Sequence, residues 1–164
     1  MSAIVEKAVS DLQPRLLNVQ QYVGETTLTV KAEDIVWVCQ ALRDKYGFDY
    51  LVDVFSIDHY RDEQRFEINY NIMNLEAKIR LRVKTFVEED KPELDSVVSV
   101  WPAANWNERE TYDMMGIVFR HHPDLRRMFM PEDFEYFPLR KEFPLIGIPG
   151  SIEMPEKDPP KPYK

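Results

Sequence analysis

Cysteine is all but absent: Cys39 stands alone in 164 residues. A single thiol excludes an intramolecular disulfide and a CxxC redox pair. An iron–sulfur cluster usually takes about four cysteine ligands, so this chain holds none by itself, and a reducing, intracellular compartment is the natural expectation. Glycine is sparse too. The five glycines, at 24, 47, 116, 147 and 150, form neither GxGxxG nor GxxxxGK[ST], which excludes the common phosphate-cradling loops. No GxSxG elbow presents a serine nucleophile. His59, His121 and His122 are the only histidines, without HExxH or Cys/His spacing, and read as structural or exposed. A spanning helix needs about 20 mostly apolar residues. The runs at 35–42 and 143–152 are too short, and Pro144 and Pro149 interrupt the second. The opening six residues lack the basic region and apolar run of a secretory signal, so membrane attachment is expected only through another protein.

What is present is ordinary globular material. Hydrophobic residues make up 44% and charged residues 30%, which excludes wholesale disorder. Lys+Arg 21 against Asp+Glu 29 gives a net charge of −8, a poor starting point for binding nucleic acid. The length suits one domain.

Hydrophobic periodicity predicts a weak helix over 4–17, short strands at 19–23 and 26–30 turned by Gly24-Glu25, and a clear helix over 32–46. In that helix Ile35, Val38, Cys39, Leu42 and Tyr46 share one face, and Gly47 supplies the stop. Cys39 on that face reads as a small core residue. Three strands follow, at 50–57, 65–72 and 77–87, the first dense enough in apolar residues to be central. The other two alternate strictly, with Arg65, Glu67, Asn69 and Asn71 on one outward face and Lys78, Arg80, Arg82 and Lys84 on the other. Short polar links suit an antiparallel meander. A second helix is predicted over 103–115, ended by Gly116. The fold class is therefore α+β: a two-layer domain with a largely antiparallel sheet packed by helices.

Beyond Phe119 the composition changes. Nine of the twelve prolines fall in the last quarter of the chain, which no regular helix or central strand survives for long. The same stretch carries Met128, Phe129, Met130, Phe134, Tyr136, Phe137, Leu139, Phe143, Leu145 and Ile146. This divides the chain into a core domain over 1–121, an extended arm over 122–152 and a flexible tail over 153–164.

Two charged constellations compete for a role. The basic stripe of Lys78, Arg80, Arg82 and Lys84 reads either as an anion platform or as ordinary cross-strand pairing with acids; the stacking aromatics of an RNA-binding sheet are missing. Glu108-Arg109-Glu110 followed by Asp113 places Glu110 and Asp113 beside Trp106 on one helical face. Two close carboxylates suit acid–base chemistry, but Arg120, Arg126 and Arg127 just downstream favour structural ion pairs.

The ordered run Trp101-Pro102-Ala103-Ala104-Asn105-Trp106-Asn107-Glu108-Arg109-Glu110-Thr111-Tyr112-Asp113-Met114-Met115-Gly116-Ile117 resembles a family signature. It continues through His122-Pro123-Asp124-Leu125-Arg126-Arg127, Met130-Pro131-Glu132-Asp133 and Pro138-Leu139-Arg140-Lys141. The family is the 30-kDa subunit of respiratory complex I, known in bacteria as the 30-kDa (C) subunit of NADH-quinone oxidoreductase. The resemblance implies a non-catalytic subunit in the hydrophilic arm of a proton-translocating enzyme, lying against the 49-kDa (D) subunit near the quinone site. Flavin, iron–sulfur clusters and quinone would then belong to neighbouring subunits, with no cofactor, metal or catalytic residue here. The place implied is peripheral, on the cytoplasmic side of the bacterial inner membrane. Glu108, Arg109, Glu110 and Asp113 become motif and ion-pair residues. His122, Pro123, Arg126, Arg127, Phe129, Pro131, Phe134, Pro138, Leu139, Arg140 and Phe143 become the expected partner interface. The rival expectation is a stand-alone α+β module holding an anionic ligand on the basic sheet face.

Overall fold

A computed structural model describes residues 2–60 and 62–144. The element order is α1 (Ala3–Leu12), β1 (Leu16–Tyr22), β2 (Glu25–Val30), α2 (Ile35–Tyr46), β3 (Tyr50–Asp58), β4 (Phe66–Asn74), β5 (Ile79–Val87), β6 (Glu93–Asp95), α3 (Ala104–Met115) and β7 (Val118–Arg120). The tail at 153–164 and the end of the arm from 145 lie outside the described residues.

Helix α2 forms for the reason its sequence states. Ile35, Val38, Cys39, Leu42 and Tyr46 are all buried, and burial pushes the Cys39 thiol far up, as expected of an inert core residue. Gly47, at φ +73, ends it: the N–H groups of Gly47 and Phe48 donate to the carbonyls of Arg43 and Leu42. Helices α1 and α2 bury their apolar faces against one side of a five-stranded sheet of order β1-β2-β5-β4-β3. The β3–β4–β5 meander is antiparallel as predicted, β1–β2 is an antiparallel hairpin, and β2 joins β5 in parallel.

Several expectations change. Strand β3 is an edge strand, not a central one; helix α3 packs along it, while its Tyr50, Val52 and Ile57 stay exposed. The hairpin turn is Val23-Gly24, with φ of +47 and +82, and not Gly24-Glu25; two left-handed residues match the twist of the flanking strands. The positions expected outward at 65–71 are largely buried: Arg65 (1% exposed), just before β4, and Glu67 and Asn69 within it. A pair of short parallel strands, β6 and β7, was not signalled by the sequence; three residues each are too few for periodicity to show.

Residues 122–144 hold no regular helix or strand, as their prolines require. They do not simply spread away from the domain, however. Leu139 N–H donates to the Met114 carbonyl (3.1 Å), and Lys141 N–H donates to Asp58 Oδ2 (2.8 Å).

Candidate functional site

Helix α3 buries Ala104, Glu108, Thr111 and Met115, a stripe at i, i+4, i+7 and i+11, together with Asp113. Two carboxylates thus go inside, and they meet different partners.

Asp113 is fully buried and holds the arm. Its Oδ2 accepts from three successive backbone N–H groups, those of Met128 (2.9 Å), Phe129 (2.6 Å) and Met130 (3.0 Å). Its Oδ1 accepts from Arg127 Nη1 (2.8 Å). Burial alone would raise the carboxyl pKa, but the three amides and the guanidinium outweigh it and hold Asp113 below the usual carboxylate range. The extended arm cannot pair these N–H groups in secondary structure, so a buried carboxylate satisfies them instead.

A second clasp binds the far end of the arm. Arg65 grips Asp58 through Nε (2.8 Å) and Nη2 (2.9 Å), and also pairs with Glu89 and with Glu142 of the arm. Asp58 accepts from Lys141 N–H as well, and these contacts outweigh its burial to keep its pKa low. Between the clasps, Arg140 Nε donates to the Met115 carbonyl (2.7 Å) and stacks over the Phe137 and Phe66 rings. Gly116 makes this approach possible. Its φ is +74, and a Cβ there would stand 2.6 Å from Phe137 and 2.7 Å from Arg140.

Glu108 has a different environment. Its Oε2 accepts from Ser96 Oγ (2.6 Å) and its Oε1 from Val97 N–H (2.8 Å). Burial dominates and pushes its pKa up to about 7. His122 Nε2 lies 4.0 Å from Oε2, yet this is no ion pair: Nε2 faces the Asn105 carbonyl (3.2 Å), Nδ1 accepts from Asp124 N–H (3.0 Å), and burial lowers the imidazole pKa. That bonding fixes the neutral Nε2–H tautomer.

The expected ion-pair network is therefore only partly present. Asp113 pairs with Arg127 as anticipated. Glu110 is exposed and takes part in no ion pair among the described residues; it lines a groove of about 140 Å³ with Asp53, Thr111 and Leu139. Arg120 pairs with Asp95, and Arg126 with Asp124. Arg109 donates to the Arg126 and Arg127 carbonyls and lies 5.0 Å over the Trp106 ring, with no carboxylate partner among the described residues.

The expected interface residues divide by direction. His122, Phe134, Arg127 and Arg140 are spent on the chain's own core, with Phe134 8% exposed. Pro138 and Phe143 are half-buried. Pro123, Arg126, Phe129, Pro131 and Leu139 face outward, Phe129 and Leu139 being 58% and 56% exposed. Tyr136, absent from the expected set, also faces out and packs edge-on against Phe134 at 5.6 Å. Asp58 and Arg65 were not anticipated either; nothing in a strictly alternating strand marks its first arginine as buried. Glu108 carried a signal, because the stripe through Ala104, Thr111 and Met115 passes over it.

Half of the basic stripe is neutralised, and Lys78 and Arg80 are exposed. Arg82 pairs with Glu25 (3.1 Å) and Lys84 with Glu67 (3.5 Å), while Lys78 sits before β5 at φ +56. Among the described residues no group of three or more His, Cys, Asp or Glu could hold a metal ion, and no helix is long and apolar enough to cross a membrane.

Comparison with known proteins points one way. Residues 28–148 match the family described as Respiratory-chain NADH dehydrogenase, 30 Kd subunit. The C subunit of an NADH-quinone oxidoreductase from Geobacter metallireducens is 47% identical over 136 residues, 82% of this chain and 83% of that protein. Its counterpart from Geotalea uraniireducens is 45% identical over 132 residues, 80% of each. Among solved structures, the trypsin-resistant fragment (1-134) of Nqo5 aligns with a TM-score of 0.63 at 30% identity, covering 74% of this chain and 96% of that one. A chain of an archaeal membrane-bound sulfane sulfur reductase, a respiratory membrane complex, shares the fold at a TM-score of 0.76 and 22% identity, covering 87% of this chain and 85% of that one.

Proposed function

The chain belongs to the family of the respiratory-chain NADH dehydrogenase 30 Kd subunit, and from that premise we propose that it is a non-catalytic subunit that docks on the 49-kDa (D) subunit through the outward side of its arm. The observation that carries this reading is the way the arm is held. Asp113 at one end and Asp58–Arg65 at the other secure its backbone, and Phe129, Tyr136 and Leu139 are left exposed. An extended segment fixed in advance loses little conformational entropy on docking, and monomers rarely leave apolar patches larger than about 300–600 Å² uncovered. Arg126 stands free of the core, suited to a carboxylate across the contact.

On this reading the complex is a proton-translocating NADH-quinone oxidoreductase, and the subunit stands near its quinone site without touching the chemistry. Flavin, iron–sulfur clusters and quinone are carried by neighbours. The subunit is peripheral, on the cytoplasmic side of the inner membrane. The stand-alone anion-binding alternative finds less support, since Arg82 and Lys84 already have carboxylate partners.

The test is a pull-down of the D subunit by the full chain. Phe129→Ala with Leu139→Ala should cut capture at least about tenfold, the effect of losing two apolar anchors, while circular dichroism and Tm stay unchanged. Undiminished capture would reject the arm as the grip.

A further inference from the structure

The two edges of the main sheet are treated differently. Helix α3 covers β3, and Asn107 Nδ2 fastens it there by donating to Asp53 Oδ1 (2.8 Å). Strand β1 has no such cover among the described residues. The two-residue turn Val23-Gly24 makes Tyr22 and Glu25 the closing pair, whose N–H and C=O groups face each other. The register then runs unbroken from Tyr22↔Glu25 back to Asn18↔Thr29. Alternation turns the backbone groups of Gln20 and Asn18 inward to β2, and those of Gln21 and Val19 outward. Neither outward residue has a backbone partner beyond that ladder among the described residues.

Exposed edges are normally blunted by charge, proline or distortion. Leu16–Tyr22 contains no charged residue and no proline, in a chain that is 30% charged. The one irregularity lies between Leu16 and Asn18 and leaves the following five residues regular. Leu17 and Tyr22 beside this edge are 59% and 75% exposed. On the open face, Gln20 and Tyr22 form one wall of a groove of about 190 Å³, with Thr27, Arg82 and Lys84 behind. The cations of that groove are paired with Glu25 and Glu67, so its character is polar and neutral.

We propose that the β1 edge takes an extended, uncharged segment of a partner subunit as a sixth strand, bonded to the N–H and C=O groups of Val19 and Gln21. The groove lies on the inner side of Gln20 and Tyr22, over β2, and offers polar, neutral contact to a neighbouring part of the same partner. A second copy of this chain is the weaker occupant. Two five-residue edges paired across a two-fold axis bury far less than the roughly 1,000 Å² that a stable dimer needs. A larger partner supplies further contact through the groove and around Leu17. The proposal rests on the chain being a subunit of an assembly, and not on the arm being its grip.

Hydrogen exchange on the full chain, free and within the assembled enzyme, tests it. The Val19 and Gln21 amides should exchange at least about tenfold more slowly in the assembly, while the Gln20 and Tyr22 amides are protected in both states. Gln21→Pro, which removes an outward N–H only, should keep the Tm of the free chain and reduce its incorporation. Should that variant misfold, Gln21→Lys keeps the N–H and places a charge on the edge, with the same expected loss. Equal exchange of Val19 and Gln21 in both states overturns the proposal. So does protection in the free chain, whether concentration-dependent with a doubled mass (a second copy) or concentration-independent (the chain's own cover). The pull-down with arm variants fails or succeeds separately from this result.

Discussion

The sheet domain and the arm are held by opposite kinds of force. The domain packs Leu42, Ile68, Val83 and their neighbours from α1, α2 and the sheet with almost no water contact, and its backbone groups pair within strands and helices. The arm, 122–144, has little secondary structure to satisfy its N–H groups, and two buried aspartates do so instead. Apolar packing is non-directional and tolerates substitution by degrees. A carboxylate serving three amides and a guanidinium is directional, and its loss leaves all three amides unsatisfied at once.

The difference should show most at Asp113. Removing one member of a buried pair typically costs about 3–5 kcal/mol. Asp113→Ala should therefore show a loss of that order and, more tellingly, early proteolytic cleavage between 122 and 144 while the sheet resists. Leu42→Ala, fully buried in α2, should cost about 2–5 kcal/mol by its cavity. It should lower the Tm of the whole domain without selective cleavage of the arm. If both variants give the same cleavage pattern, the arm and the sheet are one cooperative unit.

Titration divides the buried acids, because their shifts have opposite signs. Asp113 and Asp58 have pKa values lowered in the folded chain, so their stabilisation is present at neutral pH and lost as pH falls below the ordinary carboxylate value of 3.8. Glu108 is raised from 4.5 to about 7, so the folded chain keeps a proton that the unfolded chain releases. Its contribution is full below pH 4.5 and is lost as pH rises through about 7, by an upper bound of roughly 3 kcal/mol. Glu108→Gln should remove this loss: the Tm of the variant relative to wild type should rise between pH 5 and 8. A difference that stays flat across that window would place an ionised Glu108 in the folded chain.

Much of this was legible in the sequence, and the failures have a common cause. Helix α2, the β3–β4–β5 meander and the end of α3 at Gly116 follow from period and punctuation, which are local. The Asp113–Arg127 pair was legible because only 14 residues separate its members. Glu142 is brought to Arg65 across 77 residues by the arm's return, and no local pattern encodes that return. The edge position of β3 was missed for the same reason. Its apolar density suggested cover on both sides, yet only Leu51 and Val54 are buried among its apolar residues, while Tyr50, Val52 and Ile57 stay exposed.

Gly116 tests whether the arm depends on shape as well as charge. Gly116→Ala must adopt φ +74 and push Phe137 and Arg140 aside. A cost of roughly 1–3 kcal/mol is expected, the sum of a left-handed alanine and a displaced ring. The Phe137 and Arg140 part of the arm should loosen in hydrogen exchange, with α2 unaffected. A neutral alanine would mean that Phe137 has room to move.

The smallest effect separates two adjacent arginines. Arg127 is half-buried, bonds Asp113 and the Tyr136 carbonyl, and lies 5.2 Å from the Phe137 ring. Arg126 points outward and pairs with Asp124, two residues away, in open solvent. Exposed pairs of this kind contribute little, because water screens the attraction and ordering two side chains offsets the rest. Arg126→Ala should leave the Tm of the free chain unchanged at every ionic strength, whereas Arg127→Ala should lower it and expose the arm to protease. Capture of the D subunit should show a different order. If Arg126 meets a carboxylate across the contact, Arg126→Ala should weaken capture at low salt and matter less as salt rises, since screening already removes what the substitution removes. An arginine that alters neither Tm nor capture would be a solvated side chain, and the outward face of the arm would then rest on its aromatic and aliphatic residues alone.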